Sequence, residues 1–106
     1  MTYLVEEIKP VEIIKGFHGQ FIHGTGMTIA FWEVESGATL PLHSHIHEQM
    51  TKVEEGQFEL TVDGETKVYT KGMVAMIPPN VAHSGKALTP CKLLDVFQPV
   101  REDYKV

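Results

Sequence analysis

Apolar and polar residues alternate with a period of two along much of the chain, the pattern of half-buried strands rather than helices. In FELTVDGETKVYTKG (58–72), Phe58, Leu60 and Val62 alternate with Glu59, Thr61 and Asp63. Asp63-Gly64 then supplies a two-residue hairpin turn, because glycine tolerates a positive φ. TIAFWEVESG (28–37) is rich in β-branched and aromatic residues and stops at Gly37. MVAMIPP (73–79) is a short apolar run closed by two prolines, and CKLLDVFQP (91–99) is an apolar strand closed by Pro99. Gly56, Gly64 and Gly72 recur at intervals of eight residues, a strand-and-turn spacing. No segment of useful length has helical periodicity, and the final VREDYKV is short enough for a turn or a brief helix. The pattern predicts an all-β fold, a small antiparallel β-barrel or double-sheet jelly roll, formed as one domain over residues 1–106.

Composition narrows the function classes. The net charge is −5 and the nine basic residues are scattered, so no basic stripe exists and nucleic acid is not an expected partner. An anionic small substrate would gain nothing from the overall charge and would need a local cation to hold it. No apolar run approaches the roughly 20 residues that cross a membrane, so no membrane association is expected. The N-terminal MTYLVEEIKP carries acidic residues and lacks the apolar stretch of a signal peptide, which predicts a cytoplasmic protein. The single cysteine, Cys91, excludes an intrachain disulfide and reads as a small buried hydrophobe in its apolar strand.

The candidate chemistry begins at LPLHSHIHEQ (40–49), where His43, His45 and His47 stand at every second position. In an extended strand such residues share a face, spaced by roughly 6.6 Å. The glycines give the histidines a frame. Five residues separate Gly37 from His43, one separates His43 from His45, three lead to Gln49, and six more to Gly56. Gly72 is followed by five residues, Pro78, one residue, Asn80, two residues and His83. These two runs (37–56 and 72–87) resemble the cupin motifs G-x5-H-x-H-x3,4-E-x6-G and G-x5-P-x-G-x2-H-x3-N, and the resemblance implies the double-stranded β-helix jelly roll of a single cupin domain. Three positions depart from it. Asn80 replaces a turn glycine, a mild change because Asn tolerates left-handed backbone. Ala87 replaces the final Asn. Gln49 replaces the usual metal-binding Glu, although subsets of cupins carry this Gln.

The ligand set so implied is His43, His45, Gln49 and His83, holding one divalent transition metal: Zn, Ni, Fe, Mn or Co. His43 and His45 chelate from one face, the next strand brings Gln49 alongside, and His83 closes the set from across the barrel. Three neutral imidazoles and an amide leave the metal its full charge, making it a stronger Lewis acid than a centre with a carboxylate. The competing reading of His43 and His45 is a solvated strand end. His47 and Glu48 fall outside the motif and face either the rim or the solvent; either would replace Gln49 if Gln49 were displaced. His18 and His23 read as surface histidines.

A second constellation lies in DVFQPVRED (95–103). Asp95 and Phe97 share a strand face, and a carboxylate among Leu93, Leu94, Val96 and Phe97 is costly to bury unpaired, which marks Asp95 as a proton-transfer candidate. Arg101 offers a planar fork suited to a carboxylate. The run D-x-F-x-P-x-R-E-D, with H-S-H-x-H-E-Q, is similar to the KdgF cupins of pectin and alginate catabolism. That resemblance implies a metal-dependent enzyme converting 4,5-unsaturated uronate monosaccharides to linear ketonised sugar acids. Asp95, Phe97 and Arg101 would be its working residues, and a small anionic sugar its substrate. Against this stand a structural Asp95–Arg101 ion pair, Phe97 as core, and Arg101 on a dimer surface. Other functional readings are a cupin dioxygenase or isomerase with a different small substrate, and a non-catalytic sugar-binding cupin. Analogy with small cupins implies a homodimer, with MTYLVEEIKPVEII packing on a neighbour.

Overall fold

A computed structural model describes all residues, 1–106. Ten strands make up nearly all of its regular structure: β1 Val11–Ile14, β2 Phe17–His23, β3 Thr28–Val34, β4 Thr39–His43, β5 Glu48–Glu55, β6 Phe58–Val62, β7 Glu65–Tyr69, β8 Val74–Ile77, β9 His83–Ala87 and β10 Cys91–Gln98. They form a six-stranded sheet, β1-β2-β3-β10-β5-β8, and a four-stranded sheet, β4-β9-β6-β7. Every strand pair is antiparallel. The two sheets are not hydrogen-bonded into a closed cylinder, so of the two expected forms the double-sheet jelly roll is the one present. No helix is long and apolar enough to cross a membrane.

The period-two pattern does the work expected of it. Inward positions of β3 (Thr28, Ala30, Trp32, Val34) and β10 (Cys91, Leu93, Asp95, Phe97) are buried, and the positions between them are not. Phe58 and Leu60 fill the space from the smaller sheet. Phe17 meets Trp32 and Phe58 edge to face, at centroid separations of 6.2 and 6.3 Å, a geometry that adds to burial alone. The Asp63-Gly64 hairpin turn forms with both residues at positive φ, 49° and 80°, and Asn80 takes the left-handed backbone at φ 64°. The C-terminal segment closes as a short 3-10 turn, Glu102–Tyr104. The N-terminal segment packs on its own chain: β1 pairs with β2, and the Gln20 amide donates to the carbonyls of Val5 and Ile8.

Because β10 lies between β3 and β5, its register decides what shares a row inside the sandwich. Leu93 lies opposite Trp32 and Val53, Asp95 opposite Ala30 and Thr51, and Phe97 opposite Thr28 and Gln49. One end of the interior is therefore apolar core. The other end carries Thr28, Gln49, Thr51, His83 and Asp95, all buried.

Two of the regularly spaced glycines test the packing. Gly56 and Gly72 both have positive φ, 90° and 88°. A Cβ on Gly56 would sit 2.2 Å from the carbonyl oxygen of Pro90, whereas one on Gly72 would meet nothing within 4 Å. Gly72→Ala should cost about 1 kcal/mol, the left-handed penalty alone. Gly56→Ala should cost clearly more in urea unfolding, and equal losses would mean that the two strand ends do not approach as described.

Candidate metal centre

Neighbouring strands and one turn assemble the histidines. His43 ends β4 and is the register partner of His83 at the start of β9, which brings their ring centroids to 4.1 Å. The chain leaves strand geometry after His43, and the turn carries His45 back to 4.9 Å from the His83 ring. Ring nitrogens of His43, His45 and His83 then lie within 4.8 Å of one another. Gln49 enters from β5, on the other sheet, with its Oε1 3.0 Å from His45 Nε2. The expected geometry is thus reversed in one respect. His83 stands beside His43 on the same sheet, and Gln49 reaches across, because β4 pairs with β9 rather than with β5.

Hydrogen bonding determines which ring nitrogens are free. His43 Nδ1 lies 2.7 Å from the Pro41 carbonyl, His83 Nδ1 2.9 Å from that of Val81, and His45 Nδ1 3.1 Å from that of His47. A carbonyl only accepts, so Nδ1 of His43 and of His83 carries the proton and Nε2 keeps its lone pair, whereas both ring nitrogens of His45 face acceptor oxygens, the His47 carbonyl and Gln49 Oε1. His83 Nε2 is buried with no partner at all. Gln49 gives its NH2 to Thr51 Oγ1 at 2.9 Å, so its oxygen faces His45 Nε2. The lone pairs of His43 Nε2 and His83 Nε2 and the Gln49 oxygen therefore converge on one point, and a cation there would take the place of a proton on His45 Nε2. Burial, then the charges of Arg101, His83 and His43, lower the His45 pKa to about 4, and burial first of all lowers that of His83. Both rings are neutral at pH 7, as ligands must be. The residues fit a divalent transition metal.

Asp95 and Phe97 open onto the same cavity, of about 300 Å³, as the three histidines, Gln49, Arg101 and Tyr104. Asp95 Oδ2 accepts the Trp32 indole N–H at 2.9 Å, and Oδ1 is buried without a hydrogen bond. Burial pushes the Asp95 pKa up to about 6, against the opposing pull of Thr51, Trp32, Gln49 and Arg101. The Asp95–Arg101 ion pair does not form. Arg101 instead donates from Nε and Nη2 to Asp103 at 2.9 and 2.7 Å. Its guanidinium lies 4.6 Å from the Phe97 ring centre and 3.9 Å from that of Tyr104. Burial works against the Arg101 charge, but the Asp103 hydrogen bond and nearby charges outweigh it and raise the pKa. Arg101 is buried, not spread over an outer surface, and Nη1 makes no bond within the chain.

The remaining candidates separate cleanly. His47 is half-buried, lies 6.2 Å from the Phe97 ring and 3.2 Å from the Val100 carbonyl, and stays outside the three-histidine group. Glu48 is exposed. His18 pairs with Glu35 at 2.8 Å on the outside of the sheet, and His23 bonds Thr28 Oγ1. Trp32, Thr51, Asp103 and Tyr104 belong to the site although nothing in the histidine motifs points to them. Thr51 follows Gln49 by two residues on an inward face, a signal available in the chain; the contacts of the other three depend on register and on the final turn.

The cupin-domain family model (Cupin_2) matches residues 30–97. Pectin degradation protein KdgF of Dickeya dadantii is 34% identical over 70 residues, 64% of this chain and 64% of that protein. An RmlC-like cupin from Shewanella frigidimarina superposes with a TM-score of 0.92 at 32% identity, covering 96% of this chain and 93% of the other. KdgF from Halomonas sp. superposes with a TM-score of 0.91 at 24% identity, covering 97% and 96%.

The acceptor cluster predicts that purified protein retains one equivalent of divalent metal by elemental analysis, and that His83→Ala loses it. Protonation predicts opposing slopes in metal-free protein. Folded Asp95 keeps its proton up to about pH 6 against an ordinary value of 3.8. Its stabilising contribution is thus full below 3.8 and falls, by about 2–3 kcal/mol in all, as pH rises through 6. His45 runs the other way: its contribution is present above 6.5 and is lost as pH falls through about 4. Asp95→Asn should therefore unmask a steeper rise of stability with pH across this window in urea titrations with EDTA. An unchanged profile would mean that Asp95 is not held as an acid.

Proposed function

The chain belongs to the cupin family, and on that premise we propose that it is a metal-dependent enzyme converting 4,5-unsaturated uronate monosaccharides to linear, ketonised sugar acids. The observation that carries the reading is that Asp95, whose buried Oδ1 has no hydrogen bond, lines the same cavity as the three histidines and Arg101. Similarity to KdgF proteins, one of them a pectin degradation protein, supports it.

The reaction is an isomerisation. The anomeric hydroxyl loses a proton, the ring C–O bond at that carbon breaks to leave an aldehyde and an enolate, and the enolate gains a proton at C4 to become a ketone. A divalent metal bound by His43, His45, Gln49 and His83 would act as a Lewis acid on a substrate oxygen. The carboxyl group of Asp95 is suited to move the proton, because its acid and base forms are both accessible near neutral pH. The Nη1 edge of Arg101, left free when Asp103 takes the other edge, binds the sugar carboxylate and offsets locally the net charge of −5. Phe97 walls the pocket, stacked beneath that guanidinium and 6.0 Å from the His45 ring, and keeps water from the reacting carbons.

One observation favours a second reading. Phe17, Phe58, Leu60 and Leu93 give the cavity an apolar inner wall, which also suits a less polar oxygenated substrate of a cupin dioxygenase. Oxygen uptake dependent on Fe(II) would select that reading.

Metal-loaded protein mixed with freshly generated 4,5-unsaturated galacturonate should form the open-chain ketone faster than buffer does, followed by proton NMR. Asp95→Ala should lower turnover by a factor of about 100 or more with metal content unchanged. A variant that keeps its rate would remove Asp95 from proton transfer, and no acceleration by the unaltered protein would remove the uronate reaction.

A further inference from the structure

We infer that Trp32 is the positioning residue for Asp95: its indole N–H holds the carboxyl by Oδ2 and leaves Oδ1 as the oxygen that serves the cavity. The catalytic meaning of this orientation rests on the proposed proton-transfer role of Asp95. An indole nitrogen donates and never accepts. The 2.9 Å contact from Trp32 Nε1 therefore makes Asp95 Oδ2 the acceptor. The other oxygen, Oδ1, has no hydrogen-bond partner in the chain, so it is the one left to exchange a proton. Without the indole the carboxyl would lose the donor that fixes Oδ2.

The strands build this arrangement. Ala30 is directly opposite Asp95, and Trp32 is opposite Leu93, one row away on the same face. Such diagonal neighbours lie within reach of a large aromatic side chain, and the small Ala30 leaves room for the indole to lean across. Three rings keep it there: Phe17, Phe21 and Tyr104 all meet Trp32 edge to face, at 6.2, 5.3 and 5.6 Å. On the far side Gly19 is the register partner of Trp32. A Cβ at Gly19 would come within 2.7 Å of the indole ring, so the seat exists only because that side chain is absent.

Trp32 is the sole tryptophan of the chain, so metal-loaded, 15N-labelled protein has a single indole N–H signal. That signal should lie downfield, as expected for a short hydrogen bond to the Asp95 carboxyl, and should move upfield in Asp95→Asn. Trp32→Phe should lower kcat on the unsaturated uronate about 10- to 100-fold, with KM changed no more than about twofold and metal content intact. Should the smaller ring disturb folding, replacing Trp32 by 3-benzothienylalanine removes only the N–H and should give the same kcat loss. An indole signal unmoved by Asp95→Asn overturns the inference, as does full kcat in the benzothienyl protein. Where the unaltered protein shows no uronate turnover, the proposed reaction fails and the indole shift alone decides the positioning.

Discussion

The register of β10 between β3 and β5 is the constraint from which the site follows. It sets Asp95 between Ala30 and Thr51, and Phe97 between Thr28 and Gln49. A slip of one residue would turn Asp95 and Phe97 outward and bring Leu94 and Val96 in. The apolar half of the interior resists that slip, because Cys91 and Leu93 would turn out of the core that Trp32, Val53 and Phe58 form with them. Core packing at one end thus holds polar groups in place at the other. This is how a small sandwich keeps a carboxyl group in a position that burial alone disfavours.

Where side chains alternate between core and solvent, the chain could be read directly. The segments around Phe58–Val62 and Cys91–Gln98, and the Asp63-Gly64 turn, form as expected. The strands that carry the site were harder to read, since their inward residues are polar. Gln49 and Thr51 on β5, and His83 on β9, are buried positions that look exposed by composition. The spaced histidines and glycines compensated for this, because metal ligation restricts residue type more sharply than burial does. Strand order was beyond reach. It is the pairing of β4 with β9 that puts His83 beside His43, and only tertiary structure specifies that pairing. The same limit hid the bond from Trp32 to Asp95, which spans 63 residues of chain.

The histidines are prepared by their own backbone. Each Nδ1 lies against a carbonyl two residues away, at Pro41, His47 or Val81, so ring orientation comes from local geometry rather than from a distant carboxylate. Asp103 does the equivalent for Arg101, fixing one edge of the guanidinium while Phe97 and Tyr104 clasp its faces. The site is thus built largely from short-range devices, placed in one cavity by long-range pairing.

The two sheets share no backbone hydrogen bonds, yet the candidate ligands come from both: Gln49 from the larger, His43 and His83 from the smaller. A bound cation would therefore act as a rivet between layers that are otherwise joined by side-chain packing and the connecting loops. Anything that binds the native state alone shifts the folding equilibrium toward it. The supply of metal in the surroundings would then govern how long each molecule survives, as well as whether it can work.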